Sequence, residues 1–156
     1  SVFSLLPKLL ERTGKMEGRG SITGLYTILV EGDDFNEPVA DAARSILDGH
    51  ITLTRELANR GHYPAVDILQ SISRVMIDIV DEEQRRMANN IQNILATYKK
   101  AEDLINIGAY VKGSNQDIDY AVGMIDKVND FLRQSIHEKI DIAKTKKQMV
   151  NLFKGN

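Results

Sequence analysis

The glycine and lysine residues of this sequence first raise the question of whether it binds phosphate. A phosphate-binding loop needs a glycine, four further residues and then Gly-Lys-Ser/Thr, because backbone amides must approach the phosphate closely. In Gly14-Lys15, Leu9 stands where the first glycine is required, and Met16 stands where serine or threonine is required. The sequence therefore contains no phosphate-binding loop.

Two other residues could contact a charged or aromatic ligand. Arg74 lies within an apolar run that includes Ile72 and Val75. Burial of an unpaired charge is costly, so this position predicts an ion pair within the fold, with Asp67 or Asp78 as the partner. Tyr63 follows a glycine-histidine pair and precedes a proline, and a tyrosine on such a rigid turn can stack on a base. Packing or an interface is the simpler explanation for Tyr63.

The sequence gives little evidence for a metal site or for a catalytic nucleophile. The three histidines, His50, His62 and His137, lack the spacing of a zinc site, and cysteine is absent. Ser71 and Ser73 have no surrounding glycine elbow. The acidic segment Glu31 to Asp34 fits no calcium loop and is more simply a solvated turn.

Composition narrows the partner classes. The 156 residues include 20 basic and 22 acidic side chains, for a net charge of −2. This balance gives no electrostatic reason to expect a nucleic acid partner. The apolar fraction of 42% is sufficient for a core.

The elements that must position these residues change in character near Asp81. Before it, Ser21 to Val30 predicts a strand buried on both faces, Pro38 predicts the start of a helix, and Ile51 to Leu53 predicts a short strand. Strand, helix and strand in this order indicate an α/β layer. We therefore predict two regions, 1–80 and 81–156.

The region after Asp81 has helical periodicity. Apolar residues recur at helical spacing in two stripes, which predict a helical hairpin followed by a tail helix. Ser114 and Asp117 resemble a capping box at the start of the second helix. The two stripes are Met87, Ile91, Ile94, Tyr98, Ala101 and Ile105, and then Ile118, Val122, Ile125, Val128, Leu132 and Ile136.

Six sequence blocks carry a resemblance to a known family. They comprise Leu10 to Gly14, Gly20 to Asp34, Asn36 to Asp41, Arg44 to Ile51, Gly61 to Asp67, and Ser71 to Met76. Together they resemble the type III secretion ATPases, which are similar to the catalytic subunits of rotary ATP synthases. Ala42-Ala43-Arg44 favours the flagellar export branch over the injectisome branch.

The resemblance implies a fold and an activity. Residues 1–80 would be the C-terminal part of a P-loop NTPase (RecA-like) parallel-sheet domain, and residues 81–156 an all-α domain. The complete enzyme would be a homo-hexameric ring that uses ATP and Mg²⁺ to drive the unloading and unfolding of export substrates. The phosphate loop and metal-binding residues of the family fall before this sequence, so we expect the chain alone to be inactive. We also expect the chain alone to be less stable than the complete enzyme, or to dimerise.

The resemblance also assigns site residues. Arg74 matches an arginine finger that reaches the nucleotide of a neighbouring subunit. Tyr63 matches an aromatic residue that packs on adenine, and Tyr110 is similar to a residue near the same pocket. Asp33-Asp34 matches a segment that faces the central stalk in rotary relatives.

The implied partners and location follow the same resemblance. They are central and peripheral stalk-like export proteins, export substrates, chaperones and the membrane export gate, at the inner face of the bacterial membrane in the cytoplasm. Two alternatives stay open. The helical region could be a non-enzymatic docking module, or the chain could be part of a rotary ATP synthase subunit.

Overall fold

The computed structural model describes residues 2–15, 17–18 and 20–154. The chain forms two compact units, residues 1–50 and residues 51–156. In the first unit, helix α1 (Val2–Leu10) is followed by two short antiparallel strands, β1 (Gly14–Lys15) and β2 (Ser21–Ile22). A short 3-10 turn spans Glu31–Asp33.

Helix α2 (Pro38–Ile46) completes the regular structure of the first unit. Its proline occupies a first-turn position, where the missing amide hydrogen costs nothing, as the sequence predicts. Ala40 and Ala43 on α2 and Leu10 on α1 are buried, and the two helices contact each other. The core of this unit is therefore small.

The predicted strand from Ser21 to Val30 is wrong beyond its first two residues. After Ile22 the segment belongs to no helix or strand, and Leu25 and Leu29 are 93% and 90% exposed. Exposure nevertheless alternates along the segment, as in a strand. A strand buried on both faces needs neighbouring strands and covering helices, and the described part of the chain supplies neither.

The second unit contains one further strand pair. Strand β3 (Gly49–Leu53), which begins just before this unit, pairs with β4 (Val66–Ser73), and helix α3 (Arg55–Asn59) connects them. The amide of Thr54 donates to the carbonyl of Ala65 at 3.0 Å, which closes the connection at its base. The short helix α4 (Met76–Ile79) follows β4.

Three longer helices form the rest of the second unit. They are α5 (Glu82–Asn106), α6 (Gln116–Leu132) and α7 (Ile142–Leu152), so the predicted helical hairpin and tail helix are confirmed. Their core consists of Ile91, Ile94, Ala121, Met124 and Val128, with Leu95, Tyr98, Phe131, Leu132, Met149, Leu152 and Phe153 packed around it. Asp81 and Asp141 cap α5 and α7 by accepting backbone hydrogen bonds at 2.7 Å.

Two details of the helical predictions are wrong. The cap of α6 is Asn115, whose side chain accepts from the amides of Asp117 and Ile118, whereas the Ser114 hydroxyl donates to the Val111 carbonyl. Ile136 does not extend the buried stripe, because α6 ends at Leu132 and Ile136 is 92% exposed.

Most of β3 and all of β4 belong to the same compact unit as the three long helices. Within this unit, β4 packs against α5. The division into domains 1–80 and 81–156 remains a prediction. No helix within the described ranges has the length and apolar character needed to cross a membrane.

Candidate functional site

Tyr63 lies in the loop 60–65, which connects α3 to β4. The His62 amide donates to the Leu57 carbonyl at 2.9 Å, and the Gln134 amide donates to the Tyr63 carbonyl at 2.9 Å. Gly61 adopts φ of 68°, a left-handed conformation that glycine permits without a steric cost. The loop backbone is therefore held on two sides, while the Tyr63 side chain is 57% exposed.

His62 occupies the buried side of the same loop. It is 5% exposed and lines a cleft between β4 and the helices α5 and α6. Burial, and then the positive charge of Arg133, lower the pKa of His62 below its usual value. The imidazole is therefore neutral at neutral pH, and the loop buries no charge at this position.

An arginine at the end of α3 connects this loop to the helical hairpin. Arg60 places the same nitrogen, Nη2, at 3.0 Å from Glu56 Oε1 and at 3.0 Å from Glu102 Oε1. Glu56 belongs to α3, whereas Glu102 belongs to α5 and is 23% exposed. The ion pair to Glu102 thus links two elements that are far apart in sequence.

Arg74 directly follows β4, and its position corrects one prediction. The sequence predicts a charge buried in an apolar run, but Arg74 is exposed, and so are Ile72 and Val75 beside it. The prediction of burial is wrong because Ile72, Arg74 and Val75 lie at the solvent-exposed end of β4 and do not pack into a core. Asp67 directs its carboxylate to the amides of Leu69 and Gln70 at the start of β4.

Tyr63 and Arg74 flank the two ends of β4. The strand contains 8 residues, and at about 3.3 Å per residue the two side chains are separated by on the order of 20 Å. The structure therefore does not bring them to one site on this chain. It presents an exposed aromatic ring at one end of the strand and an exposed guanidinium at the other.

Tyr110 lies far from Tyr63 along the helical hairpin. Its hydroxyl donates to the carboxylate of Asp119, whose second oxygen accepts from the Gly113 amide at 2.9 Å. The hydrogen bond to Asp119, and then burial, raise the pKa of Tyr110. Asp119 is in the first turn of α6 and Gln134 follows its last turn, so about 20 Å of helix separates the two tyrosines. This separation does not favour the shared pocket that the family resemblance implies for Tyr110, whose role there remains a prediction.

The acidic and histidine-containing segments form no metal centre in the described ranges of the chain. Asp33 at the end of the 3-10 turn and Asp34 directly after it are both exposed. His137 lies in the segment between α6 and α7, and it is exposed.

Sequence reasoning missed Arg60, Glu102 and Gln134. Each is a common surface residue type, and no motif distinguishes them. Arg60 and Glu102 are separated by β4 and most of α5, and Tyr63 and Gln134 by the whole hairpin, so only the packed fold brings these positions together.

Two family models match the chain. Residues 1–73 match the nucleotide-binding domain of the ATP synthase alpha/beta family, and residues 80–151 match the C-terminal domain of the T3SS EscN ATPase. The first match defines the class of residues 1–73, a nucleotide-binding domain of the ATP synthase alpha/beta family. The two matches together place the chain in the family of flagellum-specific ATP synthases and type III secretion system ATPases.

The relatives include both branches of this family. The chain is 54% identical to the flagellum-specific ATP synthase of Bacillus subtilis over 138 residues, covering 88% of the chain and 31% of the relative. It is 53% identical to the SPI-2 type 3 secretion system ATPase of Salmonella typhimurium over 137 residues, again covering 88% and 31%. These identities do not separate the flagellar branch from the secretion branch. The chain spans about a third of the length of the relatives that it matches.

A solved structure agrees in fold. The assembled ATPase EscN of enteropathogenic E. coli, in complex with its central stalk EscO, superposes with a TM-score of 0.85 at 44% identity. The alignment covers 97% of this chain and 35% of EscN. The helices and strands of this chain are therefore arranged similarly to those of the corresponding part of EscN.

Proposed function

We propose that this chain is the C-terminal part of an ATP-hydrolysing protein-export ATPase that works as a homo-hexameric ring. The observation that carries the proposal is the position of Tyr63 and Arg74 at opposite ends of β4, both exposed. In a ring, one subunit can present the two ends of a strand to two different neighbouring sites. Tyr63 would contact the base of the subunit's own nucleotide, and Arg74 would reach the phosphates of the nucleotide next to it.

The exposure of Arg74 fits this role. A guanidinium that stabilises charge on a transferring phosphoryl group must be accessible to a ligand from outside its own chain. The planar donors of arginine suit phosphate oxygens, to which they can make paired hydrogen bonds. Turnover would then require ring formation, because no subunit would complete its own site.

ATP and Mg²⁺ fit the described residues only in part. The exposed ring of Tyr63 on a fixed backbone offers a face to an adenine base. The sequence contains no phosphate-binding loop, and the described residues include no cluster that could hold a metal ion. In this proposal the phosphates and Mg²⁺ are held by a part of the complete enzyme outside this chain, so the chain alone does not hydrolyse ATP.

The proposed partners follow from the relatives. EscN was solved with its central stalk EscO, which supports a central stalk-like partner here, and the exposed Asp33 and Asp34 are proposed to face it. Export substrates, chaperones, a peripheral stalk-like protein and a membrane export gate complete the proposal, at the cytoplasmic face of the export apparatus. Ala42-Ala43-Arg44 supports the flagellar branch.

The test is the substitution Arg74→Ala in the complete ATPase. We expect the rate of ATP hydrolysis to fall by about 10³-fold or more, the effect associated with arginine fingers. The affinity for ADP should change little, because the finger acts on phosphoryl transfer. Arg86→Ala, which removes another exposed arginine from α5, is the control. Normal turnover in the Arg74→Ala enzyme would remove the arginine from the proposed site.

A further inference from the structure

The loop that carries Tyr63 is held from three directions by different elements. On the side of α3, the His62 amide bonds to the Leu57 carbonyl at 2.9 Å. On the side of α5, Arg60 pairs with Glu102 at 3.0 Å. Beyond the end of α6, the Gln134 amide bonds to the Tyr63 carbonyl at 2.9 Å.

Two of these three attachments belong to one packed body. Glu102 is on α5 and Gln134 follows α6, and the two helices pack through Ile91, Ile94 and Val128. Densely packed helices move together rather than deform independently. A displacement of the hairpin would therefore move both attachments of the Tyr63 loop at once.

Contacts of the Tyr63 side chain itself contribute little to fixing its position. It is 57% exposed, whereas the backbone on either side is bonded to neighbouring elements. The orientation of the ring is thus determined mainly by the loop backbone and by the groups that hold it. A preformed orientation lowers the cost of ordering the ring when a ligand binds.

We propose that Glu102, through Arg60, and the Gln134 amide are positioning groups that couple the helical hairpin to the orientation of Tyr63. This inference rests on the proposed function, in which Tyr63 contacts the base. The coupling gives a partner bound to the hairpin a direct route to nucleotide affinity. It works without any movement of Arg74, which lies at the far end of β4.

The ion pair suits this role better than an ordinary surface pair. Exposed pairs contribute little because water screens them and both side chains must be ordered. Arg60 is 55% exposed, but Glu102 is only 23% exposed, so this pair is better shielded from water than the pair between Arg60 and Glu56, whose carboxylate is 58% exposed. Replacing Glu102 by glutamine therefore weakens the connection to α5, because an amide oxygen is an uncharged and weaker acceptor, and it leaves the pair between Arg60 and Glu56 intact.

The experiment measures the Kd for ADP and kcat of the complete ATPase with Glu102→Gln. We expect the Kd to rise about fivefold, because the competent orientation of Tyr63 becomes a smaller fraction of the population, and kcat to change less than about twofold. Asp103→Asn is the matched control, since it removes one negative charge from the adjacent exposed position of α5. We expect it to leave the Kd unchanged.

A double-mutant cycle shows whether Glu102 acts through Tyr63. In a Tyr63→Ala background, Glu102→Gln should have no further effect on the Kd for ADP, because the ring that it positions is absent. Amide hydrogen exchange at Gln134 should become faster in the Glu102→Gln protein, and this readout does not depend on nucleotide.

The outcomes separate the two proposals. A raised Kd in Tyr63→Ala with an unchanged Kd in Glu102→Gln would keep the base contact and overturn the positioning role. Equal effects of Glu102→Gln with and without Tyr63 would also overturn it. An unchanged Kd in Tyr63→Ala would remove the proposed base contact, and the positioning inference with it.

Discussion

Single side chains organise the turn between α5 and α6. Asp119 accepts from the Tyr110 hydroxyl with one carboxylate oxygen and from the Gly113 amide with the other. The carboxylate thus joins both halves of the turn to the first turn of α6. Tyr110 has a structural role in this arrangement, about 20 Å of helix away from Tyr63.

Tyr110→Phe tests this structural role. Loss of the hydroxyl leaves one oxygen of Asp119 without its partner, and we expect the urea concentration at the midpoint of unfolding to fall. The measurement is urea unfolding of the complete ATPase, followed by circular dichroism. Tyr120→Phe is the control, because Tyr120 is exposed on α6, next to Asp119.

The same variant examines the alternative placement of Tyr110 near adenine. If the turn is its only role, the Kd for ADP should be unchanged in the Tyr110→Phe protein. A several-fold rise in Kd without loss of stability would support the sequence-based prediction instead.

At the scale of the element, the start of α6 depends on one amide side chain. Asn115 Oδ1 accepts from the amides of Asp117 at 2.9 Å and of Ile118 at 3.2 Å. These amides have no partner within the helix, so the cap supplies hydrogen bonds that would otherwise be missing. Asn115 has φ of −151° and ψ of 117°, an extended conformation typical of a cap.

We expect Asn115→Ala to destabilise the protein by about 1 kcal/mol, the usual effect of removing a cap. Ser114→Ala, one residue earlier, should cost less, because its hydroxyl bonds to the carbonyl of Val111 rather than to the helix. Thermal unfolding of both variants provides the comparison. A larger loss in Ser114→Ala than in Asn115→Ala would restore the capping box that the sequence predicts.

Helices are the part of this fold that the sequence predicts well. The stripe from Met87 to Ala101 recurs at helical spacing, and a single helix satisfies its own backbone hydrogen bonds. The end of α6 is harder to predict, because Ile136 continues the apolar spacing after the helix has stopped at Leu132. Periodicity carries no information about where the backbone leaves the helix.

The candidate site is predictable only where its residues lie within motifs. Tyr63 and Arg74 stand in sequence blocks that resemble the export ATPases, so their types and neighbours reveal them. Glu102 and Gln134 stand in no such block, and their contacts with the Tyr63 loop arise from packing between distant segments. The predicted strand at residues 21–30 is wrong for a related reason. A strand depends on neighbouring strands, which a local sequence pattern does not specify.

At the scale of the whole molecule, the most exposed apolar segment determines how the chain should behave in isolation. Leu25 and Leu29 are 93% and 90% exposed, and they lie in a segment whose exposure alternates as in a strand. Such a segment offers apolar side chains and unpaired backbone groups to any second chain. We therefore expect the isolated chain to self-associate as its concentration rises.

Replacement of both leucines by lysine tests this expectation, because charged side chains oppose pairing between exposed strand edges. Sedimentation velocity over a range of concentrations should show association of the unaltered chain and a marked reduction in the Leu25→Lys, Leu29→Lys variant. Ile136→Lys is the control, since Ile136 is 92% exposed but lies in the second unit, between α6 and α7. If the unaltered chain stays monomeric at every concentration, the segment does not mediate association. If Ile136→Lys reduces association as strongly, the interface lies in the helical unit instead.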